Sequence, residues 1–177
     1  MKLKNLFKLA VVPLSLVFSF GEAEEEKSGA AYRISETYDP KRDAFADLEE
    51  AKKLAAPENR RILLIVGGKW CPWCRAIEAF LDKSDPVSKV LERHYVVMKV
   101  NVNGETSNTA FLNPYPAIEA YPHLFFLDAE GELIHSLDTG SLEKGSSGYD
   151  EAAFTVILEK FATGTETKES DAQPSNK

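Results

Sequence analysis

Trp70-Cys71-Pro72-Trp73-Cys74 follows the apolar run Arg61-Ile-Leu-Leu-Ile-Val66 and opens the amphipathic stretch Pro72-Trp-Cys-Arg-Ala-Ile-Glu-Ala-Phe-Leu81. The run reads as a short buried strand and the stretch as a helix, so a strand hands over to a helix at the cysteines. These are the only two cysteines of the sequence. Pro72 suits the first helical position, where its missing N–H costs nothing and its fixed φ matches the helix. Cys71 then lies at a helix N-terminus, where free N–H groups and the dipole stabilise a thiolate, the reactive form of the side chain. Cys74 follows one turn later on the same side, placed to attack a mixed disulfide at Cys71 and release the reduced partner. Cys71 is therefore read as the exposed nucleophile and Cys74 as the resolving thiol.

Two other readings of the pair compete. A zinc site takes about four ligands. Beyond the cysteines only His94, His123 and His135 remain, without a second paired motif, so no metal is expected. A purely structural disulfide across so small a ring removes little unfolded-state entropy.

Lys2, Lys4 and Lys8 precede Leu9-Ala-Val-Val-Pro-Leu-Ser-Leu-Val-Phe-Ser-Phe20, and Gly21-Glu22-Ala23 offers small residues flanking a cleavage site. Residues 1–23 read as a signal peptide. The apolar run is broken by Pro13 and falls short of the roughly 20 residues that span a bilayer, so no stable membrane insertion is expected after cleavage. Lys-rich flanks favour export from a bacterial cell, to the periplasm or beyond. The net charge is −7, and it becomes more negative once the leader lysines are removed, which argues against nucleic-acid binding. Residues 24–38 read as a polar linker, 39–162 as one domain, and 163–177 as a disordered polar tail.

Within the domain the elements alternate. Phe45, Leu48, Ala51, Leu54 and Ala55 form a helical stripe ended by Pro57 and Asn59. After the strand at 61–66 and the cysteine helix, Ser84-Asp-Pro86 opens a further helix to His94, with Val87, Val90 and Leu91 on one face. Tyr95-Val-Val-Met-Lys-Val-Asn-Val102 is a strand by its β-branched content. His123-Leu-Phe-Phe-Leu-Asp128 and Glu132-Leu-Ile-His-Ser136 form a hairpin across Gly131, the left-handed turn residue. Residues 149–161 close the domain as a helix with Phe154, Ile157, Leu158 and Phe161 inward. The stretch 103–120, with a short helix interrupted at Asn113-Pro114-Tyr115-Pro116, either frames a groove or covers a sheet edge.

This order resembles the thioredoxin superfamily, and within it the exported branch with a helix before the first core strand. The resemblance covers about 39–162. It rests on the strand followed by Lys69-Trp-Cys-Pro-Trp-Cys74, on Ala120-Tyr-Pro122-His-Leu-Phe-Phe-Leu-Asp128, on the Glu130-Gly131 turn, and on Thr139-Gly140-Ser-Leu142 before the last helix. It implies an α/β, three-layer fold, a central mixed sheet flanked by helices, with Cys71 exposed and Cys74 recessed. It also implies a cis Tyr121–Pro122 bond facing the cysteines, with the backbone of Tyr121 pairing to a bound substrate strand. Trp70, Pro72, Trp73, Tyr121 and Pro122 would form the substrate-binding surface, with Trp73 placed ahead of Trp70 because Trp is usually largely buried. Aromatics at such a rim also serve as packing.

Two departures bear on mechanism. Many thioredoxins carry a buried Asp in the strand before the motif, and Ile65 occupies that place here. Glu78, one turn beyond Cys74, reads as a solvated helix glutamate, with a water-mediated role at Cys74 as the alternative. The Pro72-Trp73 dipeptide is nearer the Pro-aromatic of glutaredoxins than the Gly-Pro of reducing thioredoxins, and it suggests a glutathione-dependent role only weakly. His123 beside Pro122 reads as structural.

The resemblance thus implies an exported thiol–disulfide oxidoreductase that reduces or isomerises disulfides of exported proteins and needs no cofactor. Its partners would be exported proteins with thiols or disulfides and a membrane-bound electron donor. A disulfide-forming oxidase and a redox-inert binding or chaperone-like module are the alternatives.

Overall fold

The computed structural model describes residues 32–103, 108–146 and 148–162. The leader expected over 1–23, residues 24–31, the tail over 163–177, and residues 104–107 of the open stretch lie outside them. In chain order the elements are α1 (Ala44–Ala55), β1 (Arg61–Gly67), α2 (Pro72–Lys83), α3 (Asp85–His94), β2 (Tyr95–Asn101), α4 (Thr109–Leu112), β3 (His123–Leu127), β4 (Leu133–Asp138), β5 (Glu143–Lys144), β6 (Gly148–Tyr149) and α5 (Glu151–Ala162).

β1 is central, parallel to β2 and antiparallel to β3, and β4 pairs antiparallel with β3 to give the order β2-β1-β3-β4. Helices cover both faces, which is why β1, β2 and β3 read as almost unbroken apolar runs. On one face Leu63, Ile65, Val97, Leu124 and Phe126 meet Cys74 and Ile77 of α2, Leu91 of α3, and Phe154 and Leu158 of α5. On the other, Ile62, Leu64, Met98 and Phe125 meet Ala51 and Ala55 of α1 and Phe111 of α4. The mixed sheet between helical layers is the fold the sequence implies.

Local chemistry sets the joints. Ser84 ends α2 in an extended conformation and caps α3 by accepting the Val87 N–H, so the two helices are separate. Gly131 has φ +92°, and Asp128 Oδ1 holds the turn by accepting the Glu130 and Glu132 N–H groups at 3.0 and 2.8 Å. The last helix begins at Glu151 rather than at 149, because Tyr149 is taken up by the small β5–β6 hairpin. Of the stretch 109–120, only Thr109–Leu112 is helical.

Two expectations are corrected. Phe45 is 57% exposed, and α1 instead buries Ala44, Asp47, Ala51 and Ala55. The cause is Asp47, whose carboxylate accepts both arms of the Arg42 guanidinium at 2.5 and 2.7 Å and so can sit on the inner face as a bidentate pair. The second correction concerns 32–38, read as the end of a linker. Arg33 bridges to Val97 in parallel, Ile34 N–H donates to the Val97 carbonyl at 2.9 Å, and Ser35 Oγ accepts the Lys99 N–H at 3.2 Å. This strap covers the outer edge of β2, a row of backbone groups that would otherwise stand unpaired, and it delivers Tyr38 into the core.

Candidate active site

Cys71 occupies the N-cap position of α2 with extended dihedrals, and its Sγ accepts the Cys74 N–H at 3.1 Å. The sulfur thus receives one of the free donors of the helix start, the group best placed to hold a negative charge there. Both cysteines are free thiols. The Tyr121–Pro122 peptide bond is cis, and the Cys71 S–H donates to the Tyr121 carbonyl at 3.5 Å. Thr139 Oγ1 donates to the Pro122 carbonyl at 3.0 Å and ties this loop to the end of β4.

Cys71 is 4% exposed, against the expectation of an open thiol. The Tyr121 carbonyl lies against the sulfur, and the Tyr121 ring meets Trp70 edge to face at 5.6 Å. What faces solvent is an aromatic lip. Trp70 is 55% exposed although its Nε1 donates to the Val102 carbonyl at 2.6 Å. Trp73 is half-buried and packs edge to face on Tyr149 at 5.5 Å. Of the two tryptophans, Trp70 is thus the more exposed. Pro72 is exposed and Pro122 buried.

Beneath this lip Cys74 is fully buried. Gly67 at the end of β1 permits the approach, since a Cβ there would stand 2.5 Å from Cys74 Sγ. Burial, then the hydrogen bond with Cys71, push the Cys74 thiol up to about 12, while the Gly68 N–H pulls the other way. Cys74 therefore holds its proton at neutral pH.

One turn along α2, Glu78 Oε1 accepts from Lys99 Nζ at 3.0 Å, with side chains 19% and 3% exposed respectively. Lys99 Nζ also donates to the Glu36 carbonyl of the strap. Glu78 is thus an ion-pair partner inside the fold rather than a solvated glutamate. Ile65 stands directly across from Lys99, whose carboxylate partner comes from α2. Sequence reasoning passed over Lys99, although a lysine inside the strand Tyr95-Val-Val-Met-Lys-Val is itself a sign of a buried charge needing a partner. It also passed over Gly67 and Tyr38, which carry no local signal. His123 lies among the side chains of the opposite face, 4.7 Å from the Phe125 ring, with Nε2 2.8 Å from Ser136 Oγ. Burial lowers its pKa, consistent with a neutral structural histidine.

The Cys74 shift has a sign in stability. Up to about pH 8.5 the thiol is protonated in both folded and unfolded chains. Between there and about 12 the unfolded chain has released a proton that the folded chain keeps. Stability of the reduced protein is expected to fall across that window, by up to about 1.4 kcal/mol per pH unit for one proton. Guanidinium unfolding at about pH 8 and about pH 10.5 should show a steeper loss in the wild type than in Cys74→Ser. Equal losses would mean burial does not hold this proton. Burial also raises Tyr95 and Tyr149, and both are common to the two proteins.

The thioredoxin-like domain model matches residues 48–145, a span that includes the cysteine pair, the cis-proline and the β3–β4 hairpin. The chain belongs to the thioredoxin-like domain family. Among solved structures it is similar to a disulphide isomerase from Xylella fastidiosa Temecula1, at 20% identity and TM-score 0.60, covering 70% of this chain and 94% of that one. It is also similar to a DsbH oxidoreductase at 20% identity and TM-score 0.51, covering 64% of this chain and 80% of that one. At this identity the likeness is one of fold. No curated protein sequence matches significantly. Family and cysteine pair together support a thiol–disulfide redox role for this thioredoxin-like chain. Among the described residues, no helix is long and apolar enough to cross a membrane.

Proposed function

We propose that the chain is an exported thiol–disulfide oxidoreductase that reduces or isomerises disulfides in exported proteins through Cys71 and Cys74. The observation that carries this reading is the asymmetry of the pair. One sulfur sits at a helix start against the cis-proline loop, and the other is sealed beneath it with its proton held. The leader expected in residues 1–23 supports export.

The Cys71 thiolate attacks one sulfur of a substrate disulfide. A Cys71–substrate S–S bond forms, the substrate S–S bond breaks, and the departing thiolate takes up a proton. In reduction, Cys74 then gives up its proton and attacks Cys71 Sγ. The Cys71–Cys74 disulfide forms, the second substrate sulfur leaves and is protonated, and two electrons have passed to the substrate. A membrane-bound donor returns the chain to the dithiol. In isomerisation a second thiol of the substrate displaces Cys71 instead, and no net electrons move. The aromatic lip of Trp70 and Tyr121 suits an extended or unfolded peptide as substrate.

The testing measurement is the reduction potential of the Cys71–Cys74 pair, equilibrated against glutathione and read by tryptophan fluorescence. A value near the about −270 mV of thioredoxin supports a reductase. A value near about −120 mV assigns the chain to disulfide formation. No exchange at all leaves a redox-inert binding module.

A further inference from the structure

We propose that Tyr38 is a positioning residue of the redox site, its hydroxyl held in reserve beneath the pair to stabilise the Cys74 thiolate during the resolving step. The inference rests on the exchange chemistry proposed above and adds a residue to it.

Tyr38 is fully buried, yet its hydroxyl finds no hydrogen-bond partner among the described residues. Buried hydroxyls are normally satisfied, and leaving one unmade costs stability. The location of this one is specific. The position a Cβ would take on Gly67 is 3.2 Å from the Tyr38 oxygen and 2.5 Å from Cys74 Sγ, so both atoms border the same spot at the end of β1. Asn101, across from Gly67 in the β1–β2 register, likewise has an unpartnered buried Nδ2. Of these two unpartnered donors, the Tyr38 hydroxyl is the one that shares the Gly67 spot with Cys74 Sγ.

In the dithiol form Cys74 is neutral and offers this hydroxyl no anion. In the resolving step Cys74 loses its proton, and a negative sulfur appears in a buried place. Donors fixed in advance where charge develops stabilise that state without reorganisation. A phenol serves only while it keeps its own proton, and burial followed by the neighbouring Cys74 and Glu78 holds Tyr38 well above the usual phenol range. The titratable and charged groups around it are Cys71 at the N-cap of α2, Cys74 and Glu78 of α2, Tyr149 of β6, and Lys99 of β2, whose Nζ stands 5.9 Å from the ring centroid. The strap supplies the residue. Lys99 anchors its Glu36 carbonyl two residues earlier, which fixes where the ring enters.

The test is Tyr38→Phe in the full chain, which keeps the ring and removes only the oxygen. With a disulfide-bonded model peptide in single-turnover mixing, formation of the mixed disulfide at Cys71 should proceed at the wild-type rate. Its resolution should slow by about tenfold or more, the loss expected of a hydrogen bond to a charged group, and the midpoint of the resolution pH profile should move upward. Thermal stability of the reduced form should hold or rise, because an unsatisfied buried hydroxyl has gone. A merely structural tyrosine would not slow one step of exchange while leaving the fold as stable. Resolution at the wild-type rate with an unchanged pH profile overturns the proposal. In the wild type itself, the 13Cζ resonance of Tyr38 should move as Cys74 ionises, and a resonance that stays flat overturns it as well. Absence of exchange in the wild-type chain would instead defeat the oxidoreductase reading, a separate result.

Discussion

Cys74→Ser in the full chain is expected to turn the protein from a catalyst into a trap. Mixed with a disulfide-bonded peptide, the variant should accumulate a covalent adduct at Cys71, visible by mass and released by dithiothreitol. Turnover should fall by at least about a thousandfold, because intramolecular attack by a well-placed group can carry an effective molarity of about 10⁵ M or more and only dilute external thiol remains to replace it. The geometry makes the substitution clean. Serine keeps the backbone N–H that Cys71 Sγ accepts at 3.1 Å, so the attacking sulfur retains its helix-start donor. It is slightly smaller than the thiol, in a site where Gly67 already limits the space. Cys71→Ser should give no adduct. An adduct that fails to form on Cys74→Ser would sink the assignment of Cys71 as the attacking sulfur, and peptide binding retained without any exchange would favour the inert module.

The parts of this site that could be read in advance are those whose signal is local. Spacing places the cysteines one turn apart, Pro72 opens the helix, and the β-branched run around Met98 declares a strand. Gly131 marks its turn for the same reason. The parts that could not be read are those made by distant partners. Lys99 finds Glu78 on a helix 21 residues away and Glu36 on a strap 63 residues away. Glu78 alone reads as a solvated helix glutamate, and Lys99 alone does not say which residue answers it. The inner face of α1 is decided by whether Asp47 meets Arg42, and an apolar stripe counted along the helix misses that pairing and so misplaces Phe45. The burial of Cys71 has the same origin. Its cover is a carbonyl from Tyr121, 50 residues on, and a helix N-terminus considered by itself carries no such lid. The strap over 32–38 carries no signal of its own because its anchors are distant: Tyr32, Ile34 and Tyr38 pack into cores built by other elements, and its bonds run to Val97 and Lys99 of β2.

Lys99→Met is the second large effect, and it tests whether that hidden pairing holds the site together. The ammonium is nearly sealed from solvent, and the substitution leaves Glu78 without its partner and the Glu36 carbonyl without its donor. Removing one member of a buried ion pair costs about 3–5 kcal/mol. Glu78 keeps some access to water, so about 3 kcal/mol is expected for the reduced protein in guanidinium unfolding. Glu78→Leu should cost more, since Lys99 is the better buried of the two and keeps only a carbonyl to face. The double variant Lys99→Met with Glu78→Leu removes both charges and returns apolar volume, and replacement of a buried pair in this way is often neutral. It should therefore regain most of the loss, to within about 1 kcal/mol of the wild type. Single losses that simply add in the double variant would show that the two side chains do not act as a pair. Recovery of stability without recovery of the resolving rate would separate the two duties of the pair, since the packing would then be restored while the carboxylate one turn from Cys74 and the lysine that anchors the Tyr38 strap would still be missing.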